Sequence, residues 1–221
     1  MCTCESLPCR AAIGHTLVLA ASIPTYHGPM ALHLTGHREA DLLLSESPLA
    51  LLLGMTLDQQ VPLERAFGAP FLLVERLGED LDAGRIATMD PHVLAEVFSQ
   101  TPALHRYPGS MAARCQQVCQ VLVDTYDADP VALWSTAGDG AELLRRMKAL
   151  PGFGDMKAKI FIALLGKQCG LRVPGWQDVS APYSEAGSRR SVADIVDATT
   201  LEEVRTFKAT MKAAAKAGND C

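Results

Sequence analysis

Leu150-Pro151-Gly152-Phe153-Gly154 is the run of this chain whose residue types most directly imply chemistry. A short Gly-rich turn that opens into a helix leaves backbone N–H groups unpaired. With the positive end of the helix dipole, those donors form an anion site suited to phosphate. Before the turn, Leu143, Leu144, Met147 and Leu150 recur at helical spacing; after it, Lys157, Ile160, Phe161 and Leu164 do the same. Residues 141–167 therefore read as a helix-hairpin-helix, a unit that grips a nucleic-acid backbone without reading its bases. The same residues also describe an ordinary helix C-cap with glycine at the turn.

Charge supports a localised rather than a general anion surface. The chain of 221 residues carries a formal net charge of −5, against indiscriminate nucleic-acid binding. Residues 143–221 hold 13 Lys+Arg against 8 Asp+Glu, a balance of +5, whereas residues 1–142 hold 7 against 17, a balance of −10. The basic part is the one that carries the hairpin, as one phosphate-facing surface requires. Near the C-terminus Lys208, Lys212 and Lys216 recur at i, i+4, i+8, either along phosphates or on a solvated face.

Cysteines point elsewhere. Cys115 and Cys119 fall at i, i+4 on a predicted helix and read as buried thiols, while Cys2, Cys4 and Cys9 match no established metal-ligand spacing. The simplest account is an intracellular, reduced protein with no metal site. No apolar run approaches the roughly 20 residues of a membrane span.

The elements that must position these groups are helices. Leu- and Ala-rich composition and the absence of alternating strand patterns give an all-α class. Residues 1–29, with three cysteines, Pro8, Pro24 and Pro29 and no amphipathic period, are expected to be a disordered extension or to precede a true start at Met30; one domain is expected over 30–221. Helices are predicted from Glu39 to Ser45, from Leu49 to Leu57 (apolar nearly all round, hence central), and from Pro62 to about Leu73. Further helices are predicted at Asp82–Thr88, Pro91–Ser99, Met111–Tyr126, Pro130–Ser135, Ala141–Leu150, Asp155–Lys167 and Leu201–Ala217.

The order of an apolar helix ending in Leu57-Asp58-Gln59-Gln60, an Ala103-Leu104-His105-Arg106-Tyr107-Pro108-Gly109-Ser110 segment and then Leu-Pro-Gly-Phe-Gly resembles the helix-hairpin-helix-GPD superfamily of base-excision DNA glycosylases. The resemblance spans roughly residues 36–180. It implies two helical lobes with a DNA cleft between them, and double-stranded DNA with a damaged or mispaired base as partner. It further implies a monomer in the cytoplasm, nucleoid-associated if bacterial.

Site residues follow from the same resemblance. Gly152, Phe153 and Gly154, with the amides of Asp155 and Met156, would bind a phosphate, with a monovalent cation on hairpin carbonyls as in relatives. Gln60 stands where such enzymes fill the space left by an extruded nucleotide, although polar residues also collect at any turn. His105 and Arg106, with Tyr107, lie in the loop that approaches the opposite strand. Strand-cutting members carry a Lys two residues after the second hairpin glycine, where this chain has Met156; Lys157 follows it and is a catalytic candidate if the register shifts there, otherwise a phosphate or cleft contact, so a monofunctional, hydrolytic enzyme is implied. The family's Asp, some twenty residues past that glycine, falls at Pro174, and Asp178 is the nearest carboxylate, with Trp176 beside it as a pocket wall or a core residue. With only Cys169 and Cys221 after the hairpin, the four-cysteine iron–sulfur site of some members cannot form. The alternative is a DNA-binding protein that keeps the hairpin without catalysis, and a more distant one is a helical interaction protein with no DNA role.

Overall fold

A computed structural model describes residues 31–219, and the expectations for residues 1–29 lie outside them. Among the described residues the chain is all-helical: α1 Arg38–Glu46, α2 Pro48–Leu57, α3 Leu63–Leu77, α4 Ala83–Thr88, α5 Pro91–Ser99, α6 Pro108–Tyr126, α7 Pro130–Ser135, α8 Gly140–Ala149, α9 Asp155–Gln168, α10 Trp176–Ser180, and α11 Ala198–Asn219 after a 3-10 turn at Val192–Asp194. No single helix among them is long and apolar enough to cross a membrane.

Local chemistry sets most of the boundaries. Side-chain oxygens of Ser47, Asp82, Asp90, Asp129 and Asp139 accept from the first free amides of α2, α4, α5, α7 and α8. Proline opens α2, α5, α6 and α7, where its missing N–H costs nothing. Gly78, at φ +70°, ends α3 in the left-handed conformation.

Helix α2 is the centre of the molecule: Leu49 to Leu57 are all buried. It packs against α1, α3, α6 and α7. The crossing with α3 is close because Gly54 has no side chain; a Cβ there would lie 2.8 Å from the Phe67 ring. The core continues through Phe98, Val118, Leu133, Phe161 and Ile195 as one buried cluster. After α10 the chain turns back, and the Arg205 Nε of α11 bonds Glu64 of α3 at 2.9 Å. The C-terminal helix thus closes against the N-terminal elements and over the end of α2.

Candidate nucleic-acid interface

The hairpin forms as its sequence suggests. Phe153 N–H donates to Leu150 O at 3.0 Å, closing a tight turn through Pro151 and Gly152. Gly152 sits at φ +81°, and a Cβ there would meet Arg114 Cδ at 2.5 Å, so both backbone and space demand glycine. Gly154 is the N-cap of α9 and no side chain caps it. The first bond into the helix is Ala158 N–H to Gly154 O at 3.0 Å. The amides of Asp155, Met156 and Lys157 are therefore left at the open helix end, without acceptors among the described residues. The Phe153 ring is buried edge-on to Phe161, so this residue lends the turn its backbone and anchors it. Asp155 bonds Lys159 at 2.8 Å and Lys148 at 3.0 Å, and these two ammoniums hold its carboxyl below the usual range.

A second strained turn lies against the first. The polypeptide leaves α2 through Asp58, Gln59 and Gln60, and Gln60 is exposed with φ +57°, a conformation rare outside glycine and asparagine. Its neighbour is fully committed. Gln59 Nε2 donates to Thr56 O at 3.0 Å, and its Oε1 accepts from Arg114 Nη1 at 2.9 Å. Arg114, on α6, is thus packed under Gly152 while it bonds the α2–α3 turn, so one side chain ties the two turns together.

His105 completes the bracket rather than facing a partner. It is 1% exposed; Nδ1 accepts from Tyr107 N–H at 3.0 Å, which leaves the proton on Nε2 to donate to Gln59 O at 2.8 Å. Burial lowers its pKa and keeps the ring neutral. The expected contact of His105 with a DNA strand is thereby corrected, because both ring nitrogens are spent inside the protein. Arg106, in contrast, is exposed, with its guanidinium 5.3 Å from the centroid of the exposed Tyr107 ring.

The residue step between Met156 and Lys157 decides where the hairpin's amine points. Met156 is 64% exposed. About 100° further round the helix, Lys157 turns inward: its Nζ donates to Thr56 O at 3.0 Å and lies 5.5 Å from the Phe153 ring centroid. Burial pushes this amine down to about 8.

Opposite it stands Asp58, the C-cap of α2. Burial raises its carboxyl, against the pull of Lys208 and Lys157. Asp58 lines a pocket of about 340 Å³ with Val61, Leu63, Leu201, Val204 and Lys208, between the α2–α3 turn and α11. Residue spacing along the chain did not single out Asp58. The signal it does carry is that of an acid set directly after a buried, mostly apolar helix, inside the Leu-Asp-Gln-Gln run itself.

Asp178 is not brought to this group. It is exposed on α10, and α10 is fixed to the far end of α9 by Trp176, which covers Gly166 so closely that a Cβ there would meet its ring at 2.3 Å. At the other side of α10, Gly140 N–H bonds Pro174 O at 2.7 Å. Gly166 lies nine residues from Lys157, about 13.5 Å along the helix axis. Trp176 accordingly packs in the structure and does not wall a pocket at Lys157. Among the described residues no group of three or more His, Cys, Asp or Glu could hold a metal ion. Comparison of the chain with family models, with curated proteins and with solved structures returns no match.

Proposed function

We propose that this protein is a base-excision DNA glycosylase of the helix-hairpin-helix-GPD type, which extrudes a damaged or mispaired base from duplex DNA and hydrolyses its N-glycosidic bond. The observation that carries the reading is the Arg114 tie. It sets an uncapped helix N-terminus and a strained, exposed Gln60 on one face of the molecule. A phosphate accepts from the α9 amides, which the helix dipole also favours. Gln60 enters the stack where the nucleotide leaves it, and extrusion gives access to a bond that is closed inside the duplex. A backbone conformation that costs about 1–3 kcal/mol at an exposed side chain is the kind of strain that clusters at binding sites. Arg106 and Tyr107 supply a cation and a ring for the opposite strand.

In this reading the two lobes are the α4–α9 helices and the set formed by α1 to α3 with α11, and the DNA meets the face on which the hairpin and the α2–α3 turn lie side by side. A monovalent cation would sit on the carbonyls of the hairpin turn. The exposed Met156 stands where strand-cutting relatives have their amine, so the reaction ends at an abasic site. That same exposure also favours the second reading, a DNA-binding protein without catalysis.

A single-turnover assay on duplexes carrying uracil, hypoxanthine, 8-oxoguanine, 3-methyladenine-type and oxidised-pyrimidine lesions tests the proposal. Strand cleavage that appears only after hot alkali supports it. Intact DNA across the panel, with binding retained, supports the non-catalytic reading instead.

A further inference from the structure

The glycosylase reading requires a carboxylate at the reacting sugar, and Asp178 lies at the wrong end of α9. Asp58 lies at the right one. It is a carboxylate that shares a pocket with Lys208 of α11 and feels the charge of Lys157 of the hairpin helix, at the start of the turn that presents Gln60. Its carboxylate has no hydrogen-bond or ion-pair partner within bonding distance among the described residues, and the nearby carboxylate, Glu64, is already paired to Arg205. It also opens on a pocket of about 340 Å³. That volume is at the lower end of the range for small-ligand pockets, roughly 300–1,000 Å³. The walls suit one nucleotide: Val61, Leu63, Leu201 and Val204 give apolar contact, Lys208 gives a cation, and the remaining charges, Glu64 and Arg205, are paired with each other.

We propose that Asp58 is the catalytic carboxylate, acting at C1′ of an extruded nucleotide whose base enters the pocket closed by α11. The inference rests on the glycosylase reading and names its residue. In the step, the C1′–N bond breaks and its electron pair leaves on the base, which takes up a proton from solvent. The carboxylate stabilises the positive charge that develops on the sugar. A water oxygen then bonds to C1′, and the proton it releases passes to Asp58 and on to solvent, leaving an abasic site. Lys157 and Lys208 flank the carboxylate and favour its ionised form against the burial that opposes it. Lys157 is a positioning residue here: its ammonium is held by the carbonyl of Thr56, two residues before Asp58, and its charge acts on that carboxylate.

The test compares wild type with Asp58→Asn, Asp58→Glu and Asp178→Asn on the lesion that wild type excises. Single-turnover base release is measured beside the affinity for a duplex with a stable abasic analogue, and circular dichroism checks the fold. Asp58→Asn is expected to lower release by about 100-fold or more, the usual worth of such a group, with affinity held within about threefold. Partial recovery in Asp58→Glu is expected. Near-wild-type release by folded Asp58→Asn overturns the inference and leaves the glycosylase reading standing, and so does a loss confined to Asp178→Asn. A wild type that releases no base from any lesion overturns both.

Discussion

The two ends of α9 are built to opposite specifications. At the C-terminal end the buried polar side chains are tied to the segment that follows. The Lys167 ammonium meets the buried Asp194 carboxylate at 2.6 Å, the other Asp194 oxygen accepts from the amides of Arg190 and Ser191, and Gln168 Nε2 donates to Ala193 O at 2.9 Å. Trp176 seals the surface over Gly166. At the N-terminal end the helix has no side-chain cap, Lys157 is half-buried with its amine pushed down to about 8, and Asp58 is desolvated beside it. One end spends its polar groups on holding the C-terminal segment in place. The other leaves donors and charges unsatisfied in the fold, the pattern that marks sites awaiting a ligand.

Breaking each end should therefore have different consequences. The largest stability effect is expected for Asp194→Ala, which removes the carboxylate partner of Lys167 and the acceptor of the Arg190 and buried Ser191 amides. Loss of about 3–5 kcal/mol is expected from chemical denaturation, and the protein that remains folded should bind duplex DNA as wild type does. Gly152→Ala comes next, because φ +81° and Arg114 both oppose a side chain. A cost of about 1–3 kcal/mol is expected. Here affinity for an abasic-analogue duplex should also fall by about tenfold, the worth of a charge-assisted phosphate contact.

Lys157→Met probes the contrast from the other direction. A lysine whose folded pKa is near 8 against an ordinary 10.5 opposes folding wherever it is charged. Its penalty is full below pH 8 and fades as pH rises from 8 to 10.5. The variant should melt about 2–4 °C higher than wild type at pH 7 and show a smaller difference at pH 10.5, while its affinity for DNA declines. The smallest effect belongs to His105. Its folded pKa is lowered from 6.5, so its contribution to stability is constant above that value and falls as pH drops below it. Wild type should lose stability between pH 6.5 and 5 by a margin that His105→Gln does not show in thermal melts.

Much of this arrangement can be read from the sequence alone. The helices at Pro91–Ser99, Pro130–Ser135 and Asp155 onward follow from proline or acidic starts and apolar spacing, and they stand where expected. Helix α3 runs on past Leu73 to Leu77, because the signal that ends it is Gly78 and the internal Pro70 does not stop it. The five-residue α10 and the 3-10 turn carry no periodicity to read. Tertiary contacts hold them: Trp176 packs on Gly166 in one case, and Lys167 and Gln168 of α9 bond Asp194 and Ala193 in the other, where a local Ser191–Asp194 capping box also closes the turn.

Site residues divide along the same line. Gly152 announces itself through a local backbone need, whereas Gly154, extended at φ −82° with open space around it, is placed by the hairpin motif and Gln60 by the family resemblance; nothing in a glutamine announces φ +57°. His105 does not, since its burial depends on Gln59, 46 residues away. Nor does the inward turn of Lys157, which depends on the carbonyl of Thr56, 101 residues away. Asp178 is the carboxylate nearest to the family's position, which Pro174 occupies, and the path of α10 carries it away from Lys157.

The contrast between the two ends is best tested by following backbone amide resonances of the 221-residue chain while adding duplex DNA with a stable abasic analogue. The largest shifts are expected at Gln60, Gly152 and Asp155 to Lys157, with little change at Lys167, Gln168 and Asp178. Shifts centred on Trp176 to Ser180, or none anywhere at saturating duplex, would contradict it.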